Sequence, residues 1–396
     1  MSQTLTVGDR AMPETLQRDW RLFTLLTFLF GFGFAVYNGV FQNFFGNSLH
    51  GTPWQLGKLE SMREVPGLLA ALTAGTVVML AESRVAGLGL LITAVGVGVT
   101  GFMPGYAGLV AISVFWSIGF HLYSSVSPAI TLALAKGREG GRHLGRMSAV
   151  GSASTLVALG LAWLVSHFLP KLPYHLYFAL AGLSIGTAAF LCMRLSTHAE
   201  GAPRARLVVR REYRLYYLLV FLEGCRRQIF SIFASFALIK QYHVSLSVML
   251  LLAFVNSILI SLTAPRMGRL IDRHGERGPL TWYAIGLIIV FAGYAITRSL
   301  AMLFTLYLID NVLFTFSVGF TTYLHRIVRT DELTPCLAMG TTMNHIAAVT
   351  VPLGGAWLWN HFQNYQIPFW VGVGIAMVSL VATRWLPRGR AVSVTD

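Results

Sequence analysis

Residues 268 to 277 read Gly-Arg-Leu-Ile-Asp-Arg-His-Gly-Glu-Arg, and this charged segment lies between two apolar stretches near residues 245–265 and 279–297. Each stretch is about as long as the roughly 20 apolar residues that a helix needs to cross a bilayer. The segment between them is too short to form a domain of its own. It is therefore predicted to be a loop at a membrane surface, joining two membrane-spanning helices.

The same alternation of apolar stretches and short polar gaps extends over the whole chain. Hydrophobic residues make up 55% of the 396 residues and charged residues 12%, which is too little polar surface for a soluble globule. Apolar stretches lie near residues 22–46, 56–81, 86–104, 107–134, 147–169, 174–197, 214–239, 245–265, 279–297, 299–324, 335–359 and 367–386. Because unpaired backbone groups in hydrocarbon cost several kcal/mol each, every span must be a helix. The sequence predicts an all-α integral membrane protein with twelve transmembrane helices.

The basic residues predict the orientation of these helices. If the N-terminus is cytoplasmic, the loops and tails on that side hold 23 of the 30 lysines and arginines, and the opposite face holds four. The positive-inside rule then places both termini in the cytoplasm and the chain in the cytoplasmic (inner) membrane. Residues 1–19 are charged and lack an apolar core, so the first helix is expected to be an uncleaved anchor.

The net charge of +14 does not indicate a nucleic-acid partner, because the basic residues lie in the gaps between spans and not in one soluble patch. The three cysteines are far apart and fit neither a disulfide framework nor a metal-ligand spacing. No cofactor or metal site is predicted. The expected partners are membrane lipids, a small-molecule substrate and protons, and the protein is expected to be a monomer.

A basic gap divides the chain into two six-helix halves. The predicted units are an N-terminal bundle over 1–197, a cytoplasmic linker over 198–212 and a C-terminal bundle over 213–396. A short repeat supports this division, since Gly-Leu-Ala-Trp-Leu at 160–164 returns as Gly-Gly-Ala-Trp-Leu at 354–358. Many transporters consist of two such halves related by an axis along the membrane normal.

The charged segment at residues 268–277 resembles the GxLxDRxGRR-type loop of the major facilitator superfamily. Gly268, Asp272, Arg273, Gly275 and Arg277 carry the resemblance, and they fall where that family has its second copy of the motif. The resemblance implies two pseudo-symmetric six-helix bundles and a cytoplasmic gate at this loop. Physically, an acid near a helix N-terminus and arginines near headgroups would hold such a loop in place.

The chain departs from the family's pattern where the first copy should lie. Residues 81–87 read Ala-Glu-Ser-Arg-Val-Ala-Gly, so only one acid and one arginine remain. The C-terminal loop is therefore expected to dominate the cytoplasmic gate. Pro352 begins a Pro-Leu-Gly-Gly sequence in helix 11 that looks like the family's antiporter pattern, but helix 5 has no proline, so antiport is not inferred.

Helix 7 carries three charges at membrane depth. Insertion of one such charge costs about 2.5–3.5 kcal/mol, so each is a candidate functional residue. Glu223 is spaced i,i+3 from Arg226 and i,i+4 from Arg227, and it can pair with either. The remaining arginine is predicted to meet Asp310 of helix 10 or to bind a carboxylate or phosphate of the substrate. A purely structural ion pair is the alternative.

Further polar residues lie near the middle of other predicted spans: Asn38 in helix 1, His121 in helix 4, Asn311 in helix 10 and His345 in helix 11. In the superfamily that the chain resembles, helices 1, 4, 7 and 10 line the central cavity. These residues are therefore predicted to contact substrate or coupling ion, with packing histidines as the alternative for His121 and His345.

Helix 2 begins with Glu60, Arg63 and Glu64, in its outer third. These residues are predicted to form an outer gate, in which Arg63 bridges to an acid of the other half when the external mouth closes. A solvated helix start is the alternative. The buried acids outnumber the buried arginines by one, so Glu223 or Asp310 is expected to carry a coupling proton.

The resulting hypothesis is a secondary active transporter that works by alternating access, is coupled to protons and carries an organic anion or zwitterion. Export of cationic drugs or metal ions, and a non-transporting receptor of the same fold, stay open as alternatives. An enzyme is not predicted, because no HExxH, GxSxG or phosphate-cradling motif occurs.

Overall fold

The computed structural model of the chain describes residues 14–72, 82–135, 139–196 and 208–387. These residues form twelve long helices, and no strand occurs among them. The order and approximate positions of the helices agree with the twelve apolar stretches of the sequence. The predicted all-α membrane fold is confirmed.

The N-terminal half contains six helices. They are α1 (Glu14–Asn43, continued by a π-helical turn, Phe44–Ser48), α2 (Pro53–Leu72), α3 (Glu82–Val99), α4 (Tyr106–Ala135), α5 (Gly140–Phe168) and α6 (Tyr174–Met193). The close packing of α3 against α4 depends on glycine. A Cβ added to Gly89 would lie 2.6 Å from the Gly119 carbonyl oxygen, and a Cβ added to Gly119 would lie 2.4 Å from the Gly89 carbonyl oxygen. Small residues let membrane helices approach this closely.

The C-terminal half repeats the arrangement with six more helices. They are α7 (Arg214–Gln228, continued by a π-helical segment, Ile229–Ala234, and Ser235–Lys240), α8 (Leu246–His274), α9 (Arg277–Ile296), α10 (Leu300–Phe314, continued by Thr315–Ser317 and Val318–Ile327), α11 (Leu333–Phe362) and α12 (Ile367–Thr383). The predicted linker 198–212 lies largely outside the described residues, so its exact boundaries stay a prediction.

Length and apolar composition make eight of the described helices able to cross a membrane. They are α1, α3, α4, α5, α6, α8, α9 and α10, and α12 is a shorter apolar helix. Helices α2, α7 and α11 do not meet this criterion. They carry Glu64, Arg227 and His345, which are among the polar side chains that line the space between the two halves. Polar side chains of this kind lower the hydropathy of the three helices.

Candidate functional site

The two halves contact each other at the end of the molecule that lies away from both described chain ends. On α1, Gln42 Nε2 donates a hydrogen bond to the Ser231 carbonyl (3.3 Å), and Asn43 Nδ2 donates to the Val244 carbonyl (3.3 Å). Trp163 of α5 stacks on Phe254 of α8 with ring centroids 6.5 Å apart. These contacts use the last turns of α1, α5 and α7 and the first turns of α8.

Helices α2 and α11 form the tightest contact between the halves. A Cβ added to Gly57 would lie 2.2 Å from the Ala356 Cβ, so only glycine fits at this crossing. One turn further along, the Ser61 hydroxyl donates a hydrogen bond of 2.6 Å to the Val349 carbonyl. That carbonyl lies in the turn before Pro352, where a proline interrupts the helical hydrogen bonds. The Ser61 hydroxyl therefore joins α2 to α11 in the turn that this proline disturbs.

Between the halves lies a cavity of about 920 Å³. Its aromatic walls are Phe30, Phe34, Phe120, Tyr123, Phe230 and Tyr307, and its polar lining includes Asn38, Gln42, Glu60, Arg63, Glu64, Arg227, Gln228 and Asn311. The lining extends from Asn43 and Ile239, near the contacts between the halves, to Thr27 and Leu144, nearer the described chain ends. The amide and charged side chains of the lining come from α1, α2, α7 and α10, and α4 and α5 add hydroxyl groups.

A smaller pocket of about 450 Å³ continues the cavity toward the α2–α11 contact. The two spaces share Asn38, Arg63, Glu64 and Arg227, so they are parts of one volume. His345 of α11 lines only the smaller part. The deepest point of the site is thus the junction of the two halves.

Arg226 lies behind the cavity wall, inside the C-terminal half. Its Nη1 donates to Asp310 Oδ2 and its Nη2 to Glu223 Oε1, both at 2.8 Å, and the arginine is only 2% exposed. The Tyr283 hydroxyl donates to the second oxygen of Glu223. Asp310 Oδ1 is buried and has no hydrogen-bond partner. Two carboxylates therefore share one guanidinium, which leaves one negative charge in excess.

Arg227 is exposed and lines the cavity. Its guanidinium lies 5.5 Å from the Phe314 ring, which Arg226 also approaches, at 5.3 Å. No carboxylate of the described ranges lies within ion-pair distance of Arg227. Successive helical residues are about 100° apart, so the two side chains leave α7 in different directions, and of the two only Arg227 lines the cavity. The structure thus separates the two roles that the sequence left open: Arg226 pairs with both acids, and Arg227 is exposed to the site.

The amides predicted for the site both line the cavity. Asn38 Nδ2 donates to the Phe34 carbonyl and Asn311 Nδ2 to the Tyr307 carbonyl, each at 2.8 Å. Each amide oxygen is then available to a ligand. Gln42 and Tyr307 line the same cavity, and sequence reasoning did not select them, because nothing local distinguishes them from packing residues.

Arg63 differs from the expectation for an outer gate. Its partner is Glu60 on the same helix, and its guanidinium lies 5.4 Å from the Trp116 ring. No salt bridge joins Arg63 to an acid of the described C-terminal half. An i,i+3 partner on one helix needs no contribution from the other half, which explains why this pair forms locally.

Glu64 is the acid that crosses to the other half. Its Oε2 lies 3.1 Å from His345 Nδ1 of α11, and the His345 ring lies 5.0 Å from that of His121 on α4. Three residues predicted separately are thus brought together. The pair Glu64–His345 is separated by 281 residues, so no local sequence signal could have indicated it.

Residues 268–274 of the charged segment are helical and continue α8, so the predicted loop is shorter than expected and turns at Gly275, whose φ of 74° favours glycine. The buried acid at this loop is Glu276, which pairs with Arg326 at 2.7 Å. Asp272 is exposed, and Arg277 Nη1 lies 3.4 Å from the Leu386 carbonyl. Gly268 has no atom within 4 Å of an added Cβ, so no close helix approach requires it here. The gate role predicted for this loop stays a prediction. Its counterpart at 81–87 begins outside the described residues.

Two six-helix halves around a polar cavity, closed at one end by contacts between the halves, define a multi-pass membrane protein with a transporter architecture. The family model of the Major Facilitator Superfamily matches residues 23–333 and also residues 216–396. The chain belongs to this superfamily. Comparison with curated proteins gives no match.

Solved structures of transporters share the fold. The nucleoside transporter NupG is similar at a TM-score of 0.73 and 12% identity, over 94% of this chain and 99% of that one. A bacterial homologue of the iron transporter ferroportin, in an inward-facing state, is similar at a TM-score of 0.75 and 13% identity, over 96% of this chain and 100% of that one. The xylose transporter XylE from E. coli, in an inward open conformation, is similar at a TM-score of 0.68 and 14% identity, over 94% of this chain and 96% of that one. At these identities the likeness concerns the fold alone.

Proposed function

We propose that this protein is a secondary active transporter that carries a small organic anion or zwitterion across the cytoplasmic membrane by alternating access. One observation supports the cargo class above all others: Arg227 faces the cavity and has no carboxylate partner within the described residues. A guanidinium binds carboxylate and phosphate groups through parallel hydrogen bonds. An anionic group of the solute would supply the countercharge that the protein does not.

The remaining lining fits a solute that also has an apolar part. The aromatic side chains offer flat apolar walls, and Asn38, Gln42 and Asn311 offer amide groups. The cavity of about 920 Å³ is within the size range of small-molecule sites. Glu64 lines the same part of the cavity as Arg227, so an ammonium group close to the anionic group of the solute would find an acid there. A zwitterion carries both groups.

The proposed direction of opening follows from the basic residues. The positive-inside bias favours cytoplasmic termini, and we infer that the cavity opens toward the end that carries them, because the contacts between the halves lie at the other end. The structure then corresponds to an inward-facing state, in which the contacts of α2 with α11 and of α5 with α8 close the outer mouth. Transport requires these contacts to break and the cytoplasmic end to close.

Proton coupling is assigned to the buried acids of the C-terminal half. Glu223 and Asp310 share Arg226, and a buried uncompensated negative charge is costly in a membrane. A proton on one of the two acids would remove that charge. Asp310 precedes Asn311, which lines the cavity, so a small rotation of α10 would couple the acid to the bound solute.

A second candidate function is export of a cationic drug or a metal ion. The grouping of Glu64, His121 and His345 favours it, because these side chains are cation ligands at the deep end of the site. A receptor of the same fold would bind the solute without moving it. Flux measurements separate both alternatives from the main proposal.

The test is solute uptake by proteoliposomes under an imposed pH gradient, with a panel of anions, zwitterions and cations. Loss of a hydrogen-bonded charge partner costs about 1.5–3 kcal/mol, so Arg227→Gln is expected to weaken apparent affinity for the anionic solute by about 10- to 100-fold. Arg298→Gln, an exposed arginine between α9 and α10, is the matched control and should not change uptake. Undiminished anion uptake by Arg227→Gln would reject the cargo class.

The same liposomes test the coupling assignment. Asp310→Asn and Glu223→Gln are each expected to abolish accumulation driven by the pH gradient while leaving solute exchange between the two sides intact. If both variants kept full gradient-driven uptake, protons would not be coupled through these acids.

A further inference from the structure

Glu64, His121 and His345 form a compact cluster of metal-ligating side chains at the junction of the two halves. One ligand atom from each lies within 4.8 Å of the other two. The side chains of Glu64 and His345 are 24% and 15% exposed, so the cluster borders the cavity without being open to bulk water. Two imidazoles and one carboxylate are a common ligand set for divalent transition metals.

The surrounding helices are shaped so that these side chains meet. A Cβ added to Gly67 of α2 would lie 2.4 Å from His121 Cε1 and 2.5 Å from His345 Cε1. Any larger residue at this position would push the two rings apart. The two imidazoles cross at 73°, which leaves their nitrogens free to turn toward a common point. The approach of the rings is thus built into the helix crossing.

We propose that this cluster binds one divalent transition metal of the Zn²⁺ class. A tetrahedral site with bonds of about 2.1 Å separates its ligand atoms by about 3.4 Å, so a modest rotation of the imidazoles completes it. Neutral histidines and an ionised Glu64 give the ligand set a charge of −1, which suits a divalent ion. Arg63, the nearest cation on α2, is paired with Glu60.

Three protein ligands leave a fourth coordination position, which opens to the smaller pocket. Arg227 lines the same pocket. Water or an anionic group in that position would lie between the metal ion and the Arg227 guanidinium. It would therefore reduce the electrostatic repulsion between these two positive charges. The site therefore accepts a metal together with an anion more readily than a metal alone.

The ligands belong to different halves, and this sets the consequence of binding. Glu64 and His121 lie in the N-terminal half and His345 in the C-terminal half, so the complete set exists only while α2 and α11 are in contact. A ligand stabilises the state that it binds better. The metal is expected to hold the outer mouth closed and to slow the conformational cycle.

The first experiment measures binding to full-length protein in detergent after chelator treatment. Zinc chloride, titrated against a fluorescent chelator, should bind with one equivalent per chain and raise the apparent melting temperature. His345→Gln and His121→Gln should each weaken binding by at least tenfold, whereas His361→Gln, an exposed histidine near the end of α11, should not. Equal zinc affinity of the wild type and the His121→Gln/His345→Gln double variant would overturn the proposal.

The second experiment tests the closed state. In a Ser61→Cys variant, zinc should slow labelling of the new thiol several-fold, because Ser61 is buried at the α2–α11 contact. Adding His345→Gln should remove this slowing of labelling if zinc acts through the cluster. Slowing caused by zinc bound directly to the new thiol would persist in the His345→Gln variant. Zinc-dependent filling of proteoliposomes that contain a zinc dye would identify the metal as cargo and reject the closing role. Neither binding nor labelling depends on the anionic solute, so failure here is distinct from failure of the transport proposal.

Discussion

The two groups of buried charges differ in which part of the molecule completes them. In the C-terminal half, Glu223, Arg226 and Asp310 are joined by hydrogen bonds within one bundle. At the α2–α11 junction, Glu64 reaches its partner His345 only across the boundary between bundles. The first group is independent of the relative position of the halves, and the second exists in one arrangement only.

This difference indicates how the two groups act. A network inside one bundle moves with that bundle, so its protonation can change without separating its members. In the proposed alternating-access cycle, a contact between bundles must break, so it contributes to the relative free energy of the two states. We infer that changes of protonation occur in the C-terminal group, whereas the contacts at the junction determine which conformation is favoured.

The largest effect is expected from Arg226→Met. Removing the shared cation leaves two buried acids without a countercharge, and breaking a buried ion pair in this way costs about 3–5 kcal/mol. The apparent melting temperature in detergent should fall far below that of the wild type. Arg227→Met is the neighbouring control, and because its side chain faces the cavity, its melting temperature should stay close to the wild-type value.

A neutral version of the same group sharpens this test. The triple variant Arg226→Met, Glu223→Gln, Asp310→Asn removes every charge at once and should recover most of the lost stability. Equal destabilisation by Arg226→Met and Arg227→Met would mean that the assignment of the two arginines to interior and cavity is wrong.

A smaller effect is expected from Gly57→Val at the junction. A Cβ here would lie 2.2 Å from that of Ala356, and overpacking typically costs about 1–3 kcal/mol. Because the clash occurs only while α2 and α11 touch, it should favour the state with the outer mouth open. Labelling of Ser61→Cys should then accelerate by about tenfold or more. The three native cysteines are buried and should add little background.

Gly354→Val is the matched control, since Gly354 lies on α11 and has no atom within 4 Å of an added Cβ. It should leave the labelling rate unchanged. An equal acceleration in both variants would show that loss of glycine flexibility, and not the clash, opens the mouth.

The fold was predictable from the sequence because its causes are local. Apolar stretches of span length predict helices wherever they occur, and the basic gaps predict loops. The position of the charged residues along their helices was predictable for the same reason, since it follows from position within a stretch. Two pseudo-symmetric bundles followed from the resemblance carried by residues 268–277.

The partners of those charges were not predictable, because they depend on rotation and on distant contacts. Glu223 can reach either arginine at i,i+3 or i,i+4, so the sequence could not assign Arg226 to the interior. Arg226 is the arginine that also pairs with Asp310, which lies 84 residues away in the sequence. Likewise, the expected partner of Arg63 was an acid of the other half, whereas Glu60 on its own helix is closer.

The smallest effect is expected for the contact of Glu64 with His345. A hydrogen bond contributes about 0.5–1.5 kcal/mol net, so Glu64→Gln should accelerate labelling of Ser61→Cys by about two- to tenfold in the presence of a metal chelator. His345→Gln should have an effect of the same size. The double variant should match either single variant, because each change already removes the same contact.

This double-mutant cycle decides whether the junction is coupled. Glu139→Gln breaks an ion pair with Arg142 that lies wholly in the N-terminal half, and it serves as the control for removal of an acid. If the effects of Glu64→Gln and His345→Gln simply added, the two side chains would act independently. The outer mouth would then be held by the other contacts between the halves, among them the packing at Gly57 and the stacking of Trp163 on Phe254, and the Glu64–His345 contact would have no conformational role.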